Sequence, residues 1–94
     1  MNALIIFDIS ARESEVKSSL RQIGYWNSWT FNSTEYHLPK NTFWKPGCEL
    51  VQAKSDIQNI IANLNRQGGV QIILQRCIIV SVNPWEGIIG SAGN

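Results

Sequence analysis

"IIFDISARESE", residues 5–15, joins an apolar run to an acidic, serine-bearing segment, and the way it divides decides the fold. The apolar part belongs to "ALIIFDI", residues 3–9, hydrophobic at almost every position, as expected of a central strand covered on both faces or nearly so. Ser10-Ala11-Arg12-Glu13 then fits S-x-x-E. In that pattern the serine hydroxyl accepts from a free backbone N–H while the glutamate reaches back to the cap residue, so a helix is predicted from this point. Val16, Leu20 and Ile23 follow at i, i+4 and i+7, and Gly24 supplies a left-handed stop. A strand therefore feeds an amphipathic helix, with one carboxylate, Asp8, at the junction.

The same grammar returns later in the chain. Ser55-Asp56-Ile57-Gln58 is a second capping box, followed by Ile57, Ile60, Ile61 and Leu64 at helical spacing and closed by Gly68-Gly69. Between the helices, "YWNSWTFNSTEYHLP" is rich in aromatic and β-branched residues and reads as a strand interrupted at Asn32. Pro39, Asn41, Pro46 and Gly47 mark residues 38–48 as a long connection, and "CELVQA" reads as a short returning strand. Residues 70–82, "VQIILQRCIIVSV", form a long β-branched run stopped by Asn83-Pro84, with residues 83–94 as a C-terminal tail. The order is β-α-β-β-α-β. With right-handed crossovers, this predicts one α+β domain over residues 1–94 with the ferredoxin-like arrangement, an antiparallel four-stranded sheet with two helices on one face.

Composition bounds the function. A chain of 94 residues has room for one core, and 44% hydrophobic against 16% charged residues is too apolar for disorder. A formal net charge of +1 removes the general electrostatic case for binding nucleic acid, which rests on clustered Lys and Arg releasing counterions. Any such contact has to be local, and Arg12, Lys17 and Arg21, on one flank of the first helix, are its candidates, although a solvated helix face explains them better. No basic segment precedes the first apolar run and no window approaches a membrane span, so neither signal peptide nor membrane contact is expected and the location reads as cytoplasmic. Cys48 and Cys77 lack metal-ligand spacing, and His37 is the single histidine, so free thiols are expected.

Strong catalytic motifs are absent from the sequence: there is no Gly-rich phosphate loop, no G-x-S-x-G and no H-E-x-x-H. Glu13 and Glu15 are explained as first-turn residues that complement the helix dipole. Asp8 is the exception, because the carboxyl end of a central strand is where open sheets place ligands. A carboxylate there can help hold Mg²⁺ and activate water against a phosphodiester, although one carboxylate needs a second from elsewhere. The alternative is that Asp8 hydrogen-bonds the turn before Ser10. Trp26, Trp29, Phe31 and Tyr36 could stack bases on a sheet face, but core or interface packing explains them better. Phe43 and Trp44, in the long connection, are candidates for contact with a partner or for folding back onto the sheet.

"IIFDIS" followed by a helix, and then "WNSWTF", resembles the CRISPR-associated protein two family, small ferredoxin-like proteins whose first strand ends in a Tyr-Asp-Ile-like triplet. Phe7-Asp8-Ile9 occupies that place. Ser33-Thr34 and the ending "VNPWEGIIG" are similar to uncharacterised relatives of the same family. The resemblance implies a homodimer in which two first-strand aspartates meet. It also implies that Asp8 either serves a magnesium-dependent endonuclease acting on RNA or DNA or sits in a catalytically silent, nucleic-acid-associated scaffold or regulatory protein, the reading favoured here.

The residues of the C-terminal third point to self-association independently. A strand spanning residues 70–82 is longer than a small domain needs, and its second half, "CIIVSV", is apolar on both parities, so an uncovered edge there invites association. Asn83-Pro84 can turn "WEGIIG" onto the other protomer's sheet with Trp85 as anchor, or back onto its own.

Overall fold

The computed structural model describes residues 1–82, apart from the Phe31 side chain. β1 (Ala3–Ile9) runs between two antiparallel neighbours, β4 (Thr42–Lys45) on one side and β5 (Leu74–Ser81) on the other. It is central, as its apolar run predicts, but among the described residues only one of its faces is covered. Ala3, Ile5, Phe7 and Ile9 are buried, while Leu4, Ile6 and Asp8 alternate on the opposite face. Over the covered face lie α1 (Glu13–Gln22), through Val16 and Leu20, and α2 (Leu50–Arg66), through Ala53, Ile57, Ile60, Ile61 and Leu64. All of these side chains join β1 in one core. The chain is thus α+β, with two helices on an antiparallel sheet.

The intervening segment departs from expectation. Asn32 and Ser33 both hold positive φ, 49° and 64°, the geometry of a two-residue hairpin turn whose twist matches the flanking strands. The expected single strand is therefore a hairpin of β2 (Ser28–Phe31) and β3 (Thr34–His37). In place of one four-stranded sheet there is a three-stranded sheet, β4-β1-β5, and this separate pair. One bridge joins the two: Trp26 N–H donates to the Trp44 carbonyl at 2.8 Å and Trp44 N–H returns to the Trp26 carbonyl at 2.9 Å.

Residues 38–48 are not a bare connection, since they contain β4, in register with β1 from Ile6↔Thr42 to Ala3↔Lys45. "CELVQA" is not a strand either. Ala53, Ile57, Ile60, Ile61 and Leu64 form one helical stripe, and burial of Ala53 on it extends α2 back to Leu50, so Ser55 and Asp56 fall inside the helix and cap nothing. Nor does Ser10 cap α1. Its hydroxyl accepts from Ile73 N–H at 2.8 Å, and Ser10 N–H donates to the Ile73 carbonyl at 3.0 Å, fastening the end of β1 to the approach of β5. Arg12 takes the N-cap place at φ 59° with no side-chain cap bond.

β5 is shorter than the run 70–82. The Asn65 side chain accepts from Ile72 N–H at 2.8 Å and donates to the Ile72 carbonyl at 3.0 Å, and so takes the place of a strand partner ahead of Leu74. From Leu74 to Ser81 the strand pairs with β1 throughout, with a register shift between Asp8 and Ile9. "CIIVSV" does not overhang the sheet; all of it through Ser81 is laddered to β1. Gly24, Gly68 and Gly69 hold the positive φ expected where the helices stop. No helix among the described residues is long and apolar enough to cross a membrane.

Candidate functional site

Residues directly opposite in an antiparallel ladder share a face, so the register fixes what the uncovered side of the sheet displays. One row runs Trp26, Trp44, Leu4, Val80; the next runs Thr42, Ile6, Ile78; the last holds Asp8 opposite Arg76. Ile6, Ile78 and Val80 are exposed, 44%, 62% and 38%, which leaves an aliphatic surface along the β1–β5 seam open to solvent. At its β4 side the surface turns aromatic. The Trp29 ring tilts over Trp44 with centroids 3.7 Å apart, and the Trp44 Nε1–H donates to the Ser28 carbonyl. The β2–β3 hairpin is thereby fastened beside β4.

Asp8 stands at the charged end of this face and does not hydrogen-bond the turn before Ser10. Its Oδ2 accepts from Arg76 Nε at 2.9 Å, with both side chains well exposed. Among the described residues no group of three or more His, Cys, Asp or Glu side chains is placed to hold a metal ion. The Arg76 guanidinium occupies one carboxylate oxygen, and a magnesium ion at Asp8 would need further oxygen ligands beside it.

Arg12, Lys17 and Arg21 do not form one basic flank. Arg12, in the left-handed conformation, sends its guanidinium to the carboxyl end of α2, where Nη1 donates to the carbonyls of Leu64, Gly68 and Val70 at 3.2, 2.7 and 3.2 Å. Its Nε and Nη2 donate to Glu15, and the side chain is only 14% exposed. Those bonds hold the Glu15 carboxyl below its ordinary range and raise the Arg12 guanidinium above its own. Lys17 and Arg21 remain on α1.

The aromatic candidates of the long connection divide. Phe43 points inward and is 1% exposed, stacked near Phe7, while Trp44 is half-buried on the open side. Phe43 cannot meet a partner while the domain is folded. Trp85 and the rest of the tail lie outside the described residues.

Two features had no counterpart in the sequence reading. Arg76 is one; its signal is an opposite charge, on the last strand, that the antiparallel register brings to Asp8. The other is a polar cluster inside the core. Tyr25, 1% exposed, donates its hydroxyl to Asp56 Oδ2 at 2.8 Å and lies 3.7 Å from the Cys48 Sγ. Burial first, and then the Asp56 carboxylate, push the Tyr25 phenol far above its ordinary value. Both cysteines are free thiols, and burial also raises that of Cys77. At the start of α1, Asn41 Nδ2 donates to Glu13 and Lys40 lies 3.7 Å from the same carboxylate, which together hold the Glu13 carboxyl low.

Comparison with protein-family models, with curated proteins and with solved structures finds no match for the chain.

Proposed function

We propose that the chain is a homodimeric scaffold or regulatory protein, associated with nucleic acid as its resemblance to the CRISPR-associated protein two family implies, and without catalysis of its own. The observation that carries the scaffold reading is the open β1–β5 face. Leu4, Ile6, Ile78 and Val80 gather apolar surface on one side of a sheet whose other side is fully used by the helices. A single exposed aliphatic residue needs no explanation, but a contiguous set on a regular sheet suits burial against another chain. The ferredoxin-like sheet belongs to the same proposal. The order β4-β1-β5 suits its three central and outer strands, and the Trp26–Trp44 bridge stands where the fourth would pair.

The alternative, a magnesium-dependent endonuclease using Asp8, has the position of that residue at the carboxyl end of β1 in its favour. Against it stands the Arg76 guanidinium on Asp8 Oδ2. A third reading, a partner-binding module at Phe43-Trp44, retains only Trp44 and the neighbouring exposed Trp26 as available surface.

Light scattering coupled to size exclusion at micromolar concentration tests the assembly, with a dimer expected and a monomer overturning it. Titration with labelled RNA and DNA at two salt concentrations tests the nucleic-acid association. Binding that weakens with salt and persists unchanged in Asp8→Asn is expected. Magnesium-dependent cleavage that Asp8→Asn abolishes turns the assignment to the nuclease.

A further inference from the structure

The homodimer proposed above leaves open which surfaces meet, and the edge of β5 supplies an answer that rests on that reading. Among the described residues β5 pairs with β1 along one side and with nothing along the other. Native edge strands are usually protected by lysines, prolines, bulges or inward charges, because unpaired N–H and C=O groups template another strand. From Cys77 to Ser81 β5 carries none of these, and its one charge, Arg76, is held by Asp8 within the chain.

We infer that β5 pairs antiparallel with β5 of a second copy, about a two-fold axis at Ile78, joining two three-stranded sheets in the order β4-β1-β5-β5-β1-β4. The register follows from geometry and charge. A two-fold axis normal to the sheet returns each face to itself, and opposed residues share a face, so only residues of equal parity can be paired. The register shift between Asp8 and Ile9 limits the regular ladder to residues 76–81. An axis at Arg76 would set the two guanidiniums side by side. Axes at Ile78 and at Ile79 each pair five residues, 76–80 or 77–81, and keep the guanidiniums apart; the axis at Ile78 is the one that sets the two exposed Ile78 side chains directly against each other on the open face, with Arg76 opposite the partner's Val80. It also merges the two exposed β1–β5 seams into one broad aliphatic face.

This arrangement bears on chemistry. With strands about 4.8 Å apart and about 3.3 Å per residue, the two Asp8 positions fall on the order of 20 Å from each other. Two carboxylates at that separation cannot share a metal ion, so edge pairing and a paired-Asp8 nuclease exclude one another.

The test is disulfide trapping in the full chain. Ile78→Cys in a Cys77→Ser background puts two thiols across the axis, where the Cα separation of about 4.5–5.5 Å in an antiparallel pair lies within disulfide range. Mild oxidation is expected to convert the protein to a covalent dimer. Val51→Cys in the same background, exposed on α2, is expected to remain uncross-linked over the same interval. A monomer by light scattering overturns both this inference and the proposed assembly. A dimer that Ile78→Cys does not trap overturns the edge pairing alone and leaves the assembly standing. Equal trapping at both positions reports random collision and also overturns the pairing.

Discussion

Arg76 Nε donates to Asp8 Oδ2 at 2.9 Å across the β1–β5 ladder, joining the only charged pair in the rows of the open face. The pair is well exposed, and exposed ion pairs contribute about 0–1 kcal/mol. Asp8→Asn and Arg76→Gln are each expected to shift the urea unfolding free energy by less than about 1 kcal/mol and to leave the dimer intact. A loss of several kcal/mol in either would mean that Asp8 supports the fold through more than this contact.

Arg12 carries a larger share of the architecture, since one guanidinium satisfies three carbonyls at the end of α2 and also holds Glu15. Arg12→Ala is expected to lower the urea midpoint clearly more than Arg76→Gln does. Arg12→Lys should recover little, because an ammonium cannot reproduce the planar fork. Recovery to the wild-type midpoint by lysine would reduce the role of Arg12 to its charge.

Acid should weaken the same region. The carboxyls of Glu13 and Glu15 are held low by their partners in the folded chain, so they take up protons more readily when it unfolds. Their contribution is present above the ordinary carboxylate pKa and is lost as pH falls through the depressed values. In a melting series from neutral to acid pH, Glu15→Gln is expected to flatten the decline in Tm. An unchanged slope would show that the Arg12–Glu15 contact is not formed in solution.

The β2–β3 turn can be improved. Ser33 holds φ 64°, which an L side chain adopts at a cost, and Asn-Gly is the preferred pair for this turn. Ser33→Gly is expected to stabilise the domain by about 0.5–1 kcal/mol, read from thermal or urea unfolding. Destabilisation would place the strain elsewhere in the hairpin.

At alkaline pH the buried phenol becomes the sensitive group. The Tyr25 pKa is raised in the folded chain, so its contribution is full below the ordinary tyrosine value of about 10 and falls as pH rises beyond it. The Tyr25 phenol should not form tyrosinate before unfolding, and Tyr25→Phe should make stability less steep in pH above about 10. Reversible ionisation of Tyr25 in the folded protein, read as tyrosinate absorbance that Tyr25→Phe removes, would contradict the burial.

The central strand and both helices were legible because hydrophobic period and glycine stops report what a segment must bury and where it ends. The caps were not. Ser10 and Ser55 match a local pattern, yet Ser10 is taken by Ile73 and Ser55 lies inside α2, because tertiary hydrogen bonds and the burial of Ala53 outweigh a local cap. The hairpin turn was visible only as an interruption, since Asn-Ser is a weaker turn signal than Asn-Gly. β4 was hidden by the prolines on either side of it. At the candidate site, Asp8 was placed correctly at the end of β1, but its partner Arg76 depends on a register that sequence alone does not fix.

β1 has no neighbour close to it in the chain. Ala3 faces Lys45 on one side and Ser81 on the other, and Asn2 and Met1 accept backbone bonds from Val82 and Cys48. A ribosome therefore makes β1 before either of its partners, and until β5 emerges "LIIF" has only a half-built sheet to shelter in. Topology of this kind slows folding and lengthens the exposure of sticky segments. During synthesis the chain must depend on chaperones, or on rapid collapse of α1 over β1, to keep that strand from aggregating.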